Sequence, residues 1–83
     1  MDIPDGWAAS ADGKALERSY HFKNFAEAFA FLTRVAGHAE GVNHHPEFTS
    51  RWDRVDFRLT SHDMGGMTER DVALAEAIDR LAR

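Results

Sequence analysis

His44 and His45 stand side by side in EGVNHHPEF, residues 40–48, against Pro46 and between the carboxylates Glu40 and Glu47. A third histidine, His62, follows the run RVDFRLTS. Imidazole is the side chain whose ordinary pKa lets it give and take protons near neutrality, so such a set can serve general acid/base chemistry. Neighbouring carboxylates can push the imidazoles toward separate donor and acceptor roles. Three histidines and a carboxylate could also hold catalytic zinc or iron. Adjacent residues of an extended chain point to opposite faces, however, and no H-E-x-x-H pair is present to bring two imidazoles onto one ion. Nucleophilic catalysis has little support. There is no cysteine, and neither Ser50 nor Ser61 sits in a nucleophile elbow. The plain alternative is a polar loop with incidental histidines. The remaining two, His21 and His38, read as surface residues, His21 on the solvent side of a strand and His38 off the apolar stripe of a helix.

The elements that must position these groups follow from periodicity. Residues 1–14, with Pro4, Gly6 and Gly13, read as a loop with a short strand around Trp7–Ser10. Leu16, Arg18, Tyr20 and Phe22 alternate with Glu17, Ser19 and His21, which predicts a strand with its aromatic side inward. Asn24 and Glu27 form a reciprocal cap. Behind it Phe25, Ala28, Phe29, Leu32, Val35, Ala36 and Ala39 make an apolar stripe, predicting a helix from Phe25 to Ala39 or Glu40, ended by Gly41. Pro46 forbids its continuation. An extended piece around Phe48–Trp52, a turn at Asp53–Arg54 and a strand through Val55, Phe57 and Leu59 come next. HDMGGM is a loop. Thr68 and Asp71 cap a second helix from Glu69, with Val72, Leu74, Ala75, Ile78 and Leu81 as its inner side. The order is β-β-α-β-β-α, and the expected fold is α+β, a four-stranded antiparallel sheet with helices packed on one face.

The chain of 83 residues suits a single domain, residues 1–83, with one modest core, and assembly into an oligomer would compensate the small buried surface. A formal net charge of −4, with basic residues scattered singly, argues against a general grip on nucleic acid. No apolar run is long enough to span a bilayer, and MDIPDGWAAS lacks the form of a signal peptide. A cytoplasmic protein without membrane partners is expected.

Taken together, AEGVNHHPEF, WDRVDFRLTSHD and GMTERDVALAEAID, with GW at 6–7 and YHFKNFAEAFAFLTRVA at 20–36, resemble the pterin-4a-carbinolamine dehydratase family over residues 6–82. The resemblance implies dehydration of 4a-hydroxytetrahydropterin to quinonoid dihydropterin, which recycles the pterin oxidised by aromatic amino acid hydroxylases. It implies no metal and no organic cofactor, the pterin being the substrate. It implies that His44 and His62 carry the acid and base roles in an order left open, with His45 mainly holding the pterin. Glu40, Asn43, Phe48, Thr60, Ser61 and Asp63 are then the substrate-binding set, Phe48 as a wall of the pocket. Arg70 and Asp71 match family positions near the site, although helix capping accounts for Asp71. A homodimer or homotetramer is implied, and some animal members also serve as dimerisation cofactor for a transcription factor. The family usually carries an additional N-terminal helix before the GW, and this sequence starts close to that point, as expected either of a short member or of a trimmed one. It also has Trp52-Asp53 where Tyr-Asn is frequent. The alternative from a different class is a non-catalytic protein-binding or assembly module on the same fold.

Overall fold

A computed structural model describes residues 1–83. The elements run β1 (Ala8–Ala9), β2 (Leu16–His21), α1 (Phe25–Val42), β3 (Glu47–Arg51), β4 (Arg54–Leu59), a single 3-10 turn (His62–Met64) and α2 (Glu69–Leu81). The strands form one antiparallel sheet in the order β1-β2-β4-β3, with both helices on one face, the α+β architecture expected.

Alternation decides which side each strand buries. Val55, Phe57 and Leu59 of β4 and Leu16 of β2 face the helices and are buried. Glu17, Ser19, Asp56 and Arg58 face the open side, where Arg58 reaches Glu17 at 3.4 Å and Glu47 at 3.6 Å. The inner face meets Ala28, Phe31, Leu32 and Val35 of α1 and Leu74, Ala75 and Ile78 of α2 in one cluster. Its aromatic centre is Phe31, 5.2 Å from Tyr20, 4.9 Å from Phe22 and 5.8 Å from Phe57 between ring centroids. Trp7 closes one end, packing on Tyr20 and Phe57.

Asp79 of α2 ties the chain's first segment to this core. Its carboxylate accepts from Trp7 Nε1 at 3.0 Å, from Arg18 Nη1 at 3.0 Å and from the Tyr20 hydroxyl. Gly6 sits at φ +87°, a left-handed conformation that favours glycine, and a Cβ there would displace the Arg18 guanidinium.

Three local expectations change. The buried stripe of α1 is Ala28, Phe31, Leu32, Val35 and Ala39, while Phe25, Phe29 and Ala36 lie outside it, Phe25 and Phe29 being 50% and 56% exposed. The helix carries apolar residues on nearly every side, so periodicity alone could not fix its rotation, and the sheet's aromatic residues select Phe31. Gly41 does not end α1. The helix runs on to Val42, and Asn43 takes the left-handed conformation at φ 52°, its amide donating to the carbonyls of Ala39 and Glu40. Asparagine is the residue after glycine that best tolerates this region. The β3–β4 turn falls on Trp52-Asp53 rather than Asp53-Arg54, because Arg54 pairs with both Arg51 and His21. Trp52 therefore stands at φ 49° with its side chain 71% exposed.

Candidate active site

The left-handed Asn43 stops α1 and redirects the chain, and Pro46 prevents its re-entry into helix. The His44 amide donates to the Ala39 carbonyl at 3.2 Å, which holds the start of the doublet against the helix end. From there the two imidazoles part. His44 turns inward, its side chain 13% exposed, and its Nε2 lies 2.6 Å from Oδ1 of Asp71. His45 turns outward and places its Nε2 2.6 Å from Oε1 of Glu40, one helical turn earlier. Adjacency thus sends the pair to different carboxylates, as the extended geometry of the doublet predicts.

Asp71 is fully buried and fully partnered. Its Oδ2 accepts from Ser61 Oγ at 2.8 Å and from the Thr68 amide at 2.9 Å, while Oδ1 faces His44. A buried carboxylate is tolerated only when its oxygens are satisfied this completely. The capping role read from the sequence is present, since Thr68 and Asp71 form a capping box. The sequence reading missed the second role. The same side chain is the partner of His44, 27 residues away, and nothing in the spacing announces it.

His62 opens the 3-10 turn after β4. It is 82% exposed, with Nε2 3.4 Å from Oε1 of Glu47. His44, His45 and His62 line one open cavity of about 400 Å³, together with Asn43, Thr60, Ser61, Asp63 and Arg70. Seven of the nine residues proposed from the sequence thus meet at one place. Glu40 reaches it through His45. Phe48 does not: it packs across the strands on Phe57, 6.4 Å between centroids, and forms no wall of this cavity. Its pairing with the buried Phe57 puts it on the helix-facing side of β3.

The hydroxyl groups nearby are engaged within the protein. Thr60 Oγ1 donates to the Lys14 carbonyl at 2.8 Å. Ser61 Oγ contacts both Asp71 and Thr68, and the Ser61 backbone bridges Gly66, so Ser61 braces the carboxylate behind His44. Arg70 Nη2 donates to Asp63 Oδ1 at 2.6 Å, and this hydrogen bond holds the Asp63 carboxyl below the usual carboxylate range. His38, read from the sequence as plain surface, is half-buried and lines a separate groove beside His44. No three His, Asp or Glu side chains are grouped to hold a metal ion. No helix is long and apolar enough to cross a membrane.

The family model described as pterin 4 alpha carbinolamine dehydratase matches residues 1–81. A protein of Rhizorhabdus wittichii that carries pterin-4-alpha-carbinolamine dehydratase as its provisional name is 52% identical over 80 residues, 96% of this chain and 81% of the relative. A protein of Thermomicrobium roseum with the same provisional name is 53% identical over 82 residues, 99% and 85% of the two chains. The crystal structure of a transcriptional coactivator/pterin dehydratase from Brucella melitensis superposes with a TM-score of 0.91 at 38% identity, covering 95% of this chain and 84% of that one. A pterin dehydratase-like protein identified as a RuBisCO assembly factor of the alpha-carboxysome superposes with a TM-score of 0.80 at 26% identity, covering 93% and 89%. The chain belongs to the pterin 4 alpha carbinolamine dehydratase family.

Proposed function

We propose that the protein dehydrates 4a-hydroxytetrahydropterins to quinonoid dihydropterins by histidine acid/base catalysis. The observation that carries this reading is the Asp71–His44 pair facing the exposed His62 across one cavity, in a chain of this family. With Nε2 turned to Asp71, His44 donates that proton to the carboxylate and keeps the lone pair of Nδ1 for the substrate. Nδ1 takes the proton from N5 of the pterin, and the N5–H electrons form the C4a=N5 bond. The C4a–O bond breaks as His62, in its protonated form, delivers a proton to the departing hydroxyl, which leaves as water. Asp71, already satisfied by Ser61 and Thr68, compensates the positive charge that develops on His44. His45, steadied by Glu40, holds the ring, and Asn43, Thr60 and Asp63 form the walls.

No step requires a metal or organic cofactor. In its cell the reaction would serve tetrahydropterin recycling beside a hydroxylase in the cytoplasm. We take the working form to be a homo-oligomer, on the strength of the exposed Phe25 and Phe29, whose tilted rings lie 5.7 Å apart on the outer side of α1.

The test is a stopped-flow assay of carbinolamine decay with wild type, His44→Ala and His62→Ala. Each substitution should lower turnover by about 10²–10⁴. A double substitution with unchanged turnover overturns the reading. The second reading is a non-catalytic assembly or coactivator module. It draws on the assembly role described for the carboxysomal neighbour and on the same exposed phenylalanines, and it predicts no acceleration by the wild-type protein.

A further inference from the structure

A second cavity lies on the other flank of His44, in the crease between the C-terminal half of α1 and α2. It measures about 250 Å³ and is lined by His38, Val42, Ala73, Leu74, Ala77 and Arg80. His44 and Arg70 line this groove as well as the active-site cavity, so the two spaces meet at one imidazole and one guanidinium. The groove exists because α2 presents alanine at both 73 and 77, where a longer side chain would fill the crease. Val42, Ala73, Leu74 and Ala77 make its lining half apolar, Arg70 is paired with Asp63, and Arg80 has no carboxylate within ion-pair distance.

The chemistry of the ring says what such a space adjoins. In a pterin the variable substituent is carried on C6, and only N5 separates C6 from the reacting C4a. A side chain that takes the proton from N5 therefore stands beside the point where the C6 substituent leaves the ring. His44 is that side chain in the function proposed above, and the groove begins at His44.

We propose that the α1–α2 groove receives the C6 substituent and makes the enzyme selective for extended substituents that end in an anionic group, a phosphate or a carboxylate. This rests on the dehydratase reading for the ring's orientation. The apolar part of the lining takes the chain next to the ring, and Arg80, with His38, meets the anionic end.

The experiment compares carbinolamines bearing a 6-methyl group, a neutral hydroxyalkyl chain, a carboxylate-ended chain and a phosphate-ended chain, with wild type, Ala73→Leu and Arg80→Gln. Ala73 is exposed in mid-helix, where leucine is well tolerated. Ala73→Leu should lower kcat/KM about tenfold for every long-chain substrate and leave the 6-methyl compound unchanged. Arg80→Gln should lower kcat/KM about fivefold for the two anionic substrates alone. Equal losses on all four substrates, or no loss on any, overturn the proposal while leaving the dehydratase reading standing. Binding of the corresponding dihydropterins, followed by fluorescence quenching, separates the two ideas in the other direction. Affinity for the anionic pterins that falls with Ala73→Leu, in a protein with no turnover, keeps the groove and sinks the catalysis. Absence of both binding and turnover sinks both.

Discussion

His44 Nε2 and Asp71 Oδ1 lie 2.6 Å apart, one side chain on the loop that ends the first helix and the other in the first turn of the second. In the proposed dehydratase mechanism this contact would make a helix cap part of the proton-transfer path. Asp71→Asn keeps the shape and can still accept from Thr68, but it removes the charge and offers a donor where His44 expects an acceptor. We expect kcat to fall by about 10²–10⁴ and stability to fall by about 1–2 kcal/mol. Turnover and urea unfolding measured on the same preparation check this. A variant with lost stability but wild-type kcat would leave Asp71 as a cap alone.

The outward pair should behave differently. His45 and Glu40 are both well exposed, so their interaction is screened and weak. Glu40→Gln should change kcat by less than about threefold, and His45→Ala should act chiefly on KM. A loss of kcat at His45 equal to that at His44 would contradict the division of roles.

Tyr20 is the only tyrosine in the chain, which makes its titration readable. Burial raises its pKa well above the ordinary phenolic value, and the hydrogen bond and negative charge of Asp79 raise it further. The folded state therefore keeps the phenol protonated, whereas the unfolded chain releases that proton above about pH 10. The stabilisation is complete below that pH and is lost as pH rises toward the folded-state value. Urea midpoints should be flat up to about pH 10 and then fall, and Tyr20→Phe should remove this limb. Phenolate absorbance appearing at the ordinary pH in the folded protein would refute the assignment.

Trp52 holds a left-handed conformation that costs a bulky residue about 1–2 kcal/mol. Its side chain is largely exposed, so little packing offsets the cost. Trp52→Asn, matching the preference of tight hairpins, should raise stability by about 1 kcal/mol. A lower midpoint in chemical denaturation would mean that the indole makes contacts worth more than the strain.

Phe25 and Phe29 predict the assembly state. Replacing both by serine should yield a species near the 9.3 kDa of one chain in sedimentation velocity at concentrations where wild type sediments faster. Identical sedimentation would place any interface elsewhere.

What was readable in the residues, and what was not, divides along physical lines. Strand alternation at Val55, Phe57 and Leu59 and the capping box at Thr68 are local properties and appear as expected, while at Asn24 the side chain accepts the Glu27 amide but Glu27 makes no return bond. The site loop was legible for the same reason: His44, His45 and His62 all sit at element ends. Choices made by partners distant in sequence were not. Phe31 rather than Phe29 faces inward because aromatic residues of two strands meet it there. Asp71 meets His44 across 27 residues of sequence, and Phe48 lies on the side of Phe57 because the β3–β4 register pairs the two. The left-handed cap at Asn43 in place of Gly41 was a near miss, since both residues suit that conformation.

Asp79, holding Trp7, Arg18 and Tyr20, and Asp71, holding His44, both belong to α2, the last element in chain order. This has a consequence for biosynthesis. A nascent chain that has emerged as far as β4 can already close its sheet, yet its first strand lacks an anchor and its inward histidine lacks a carboxylate. Those contacts span 59 to 72 residues for Tyr20 and Trp7, and such long-range closures come late in folding. The site is therefore completed by the same event that seals the core, so a truncated or stalled chain would present the histidines without the machinery to use them.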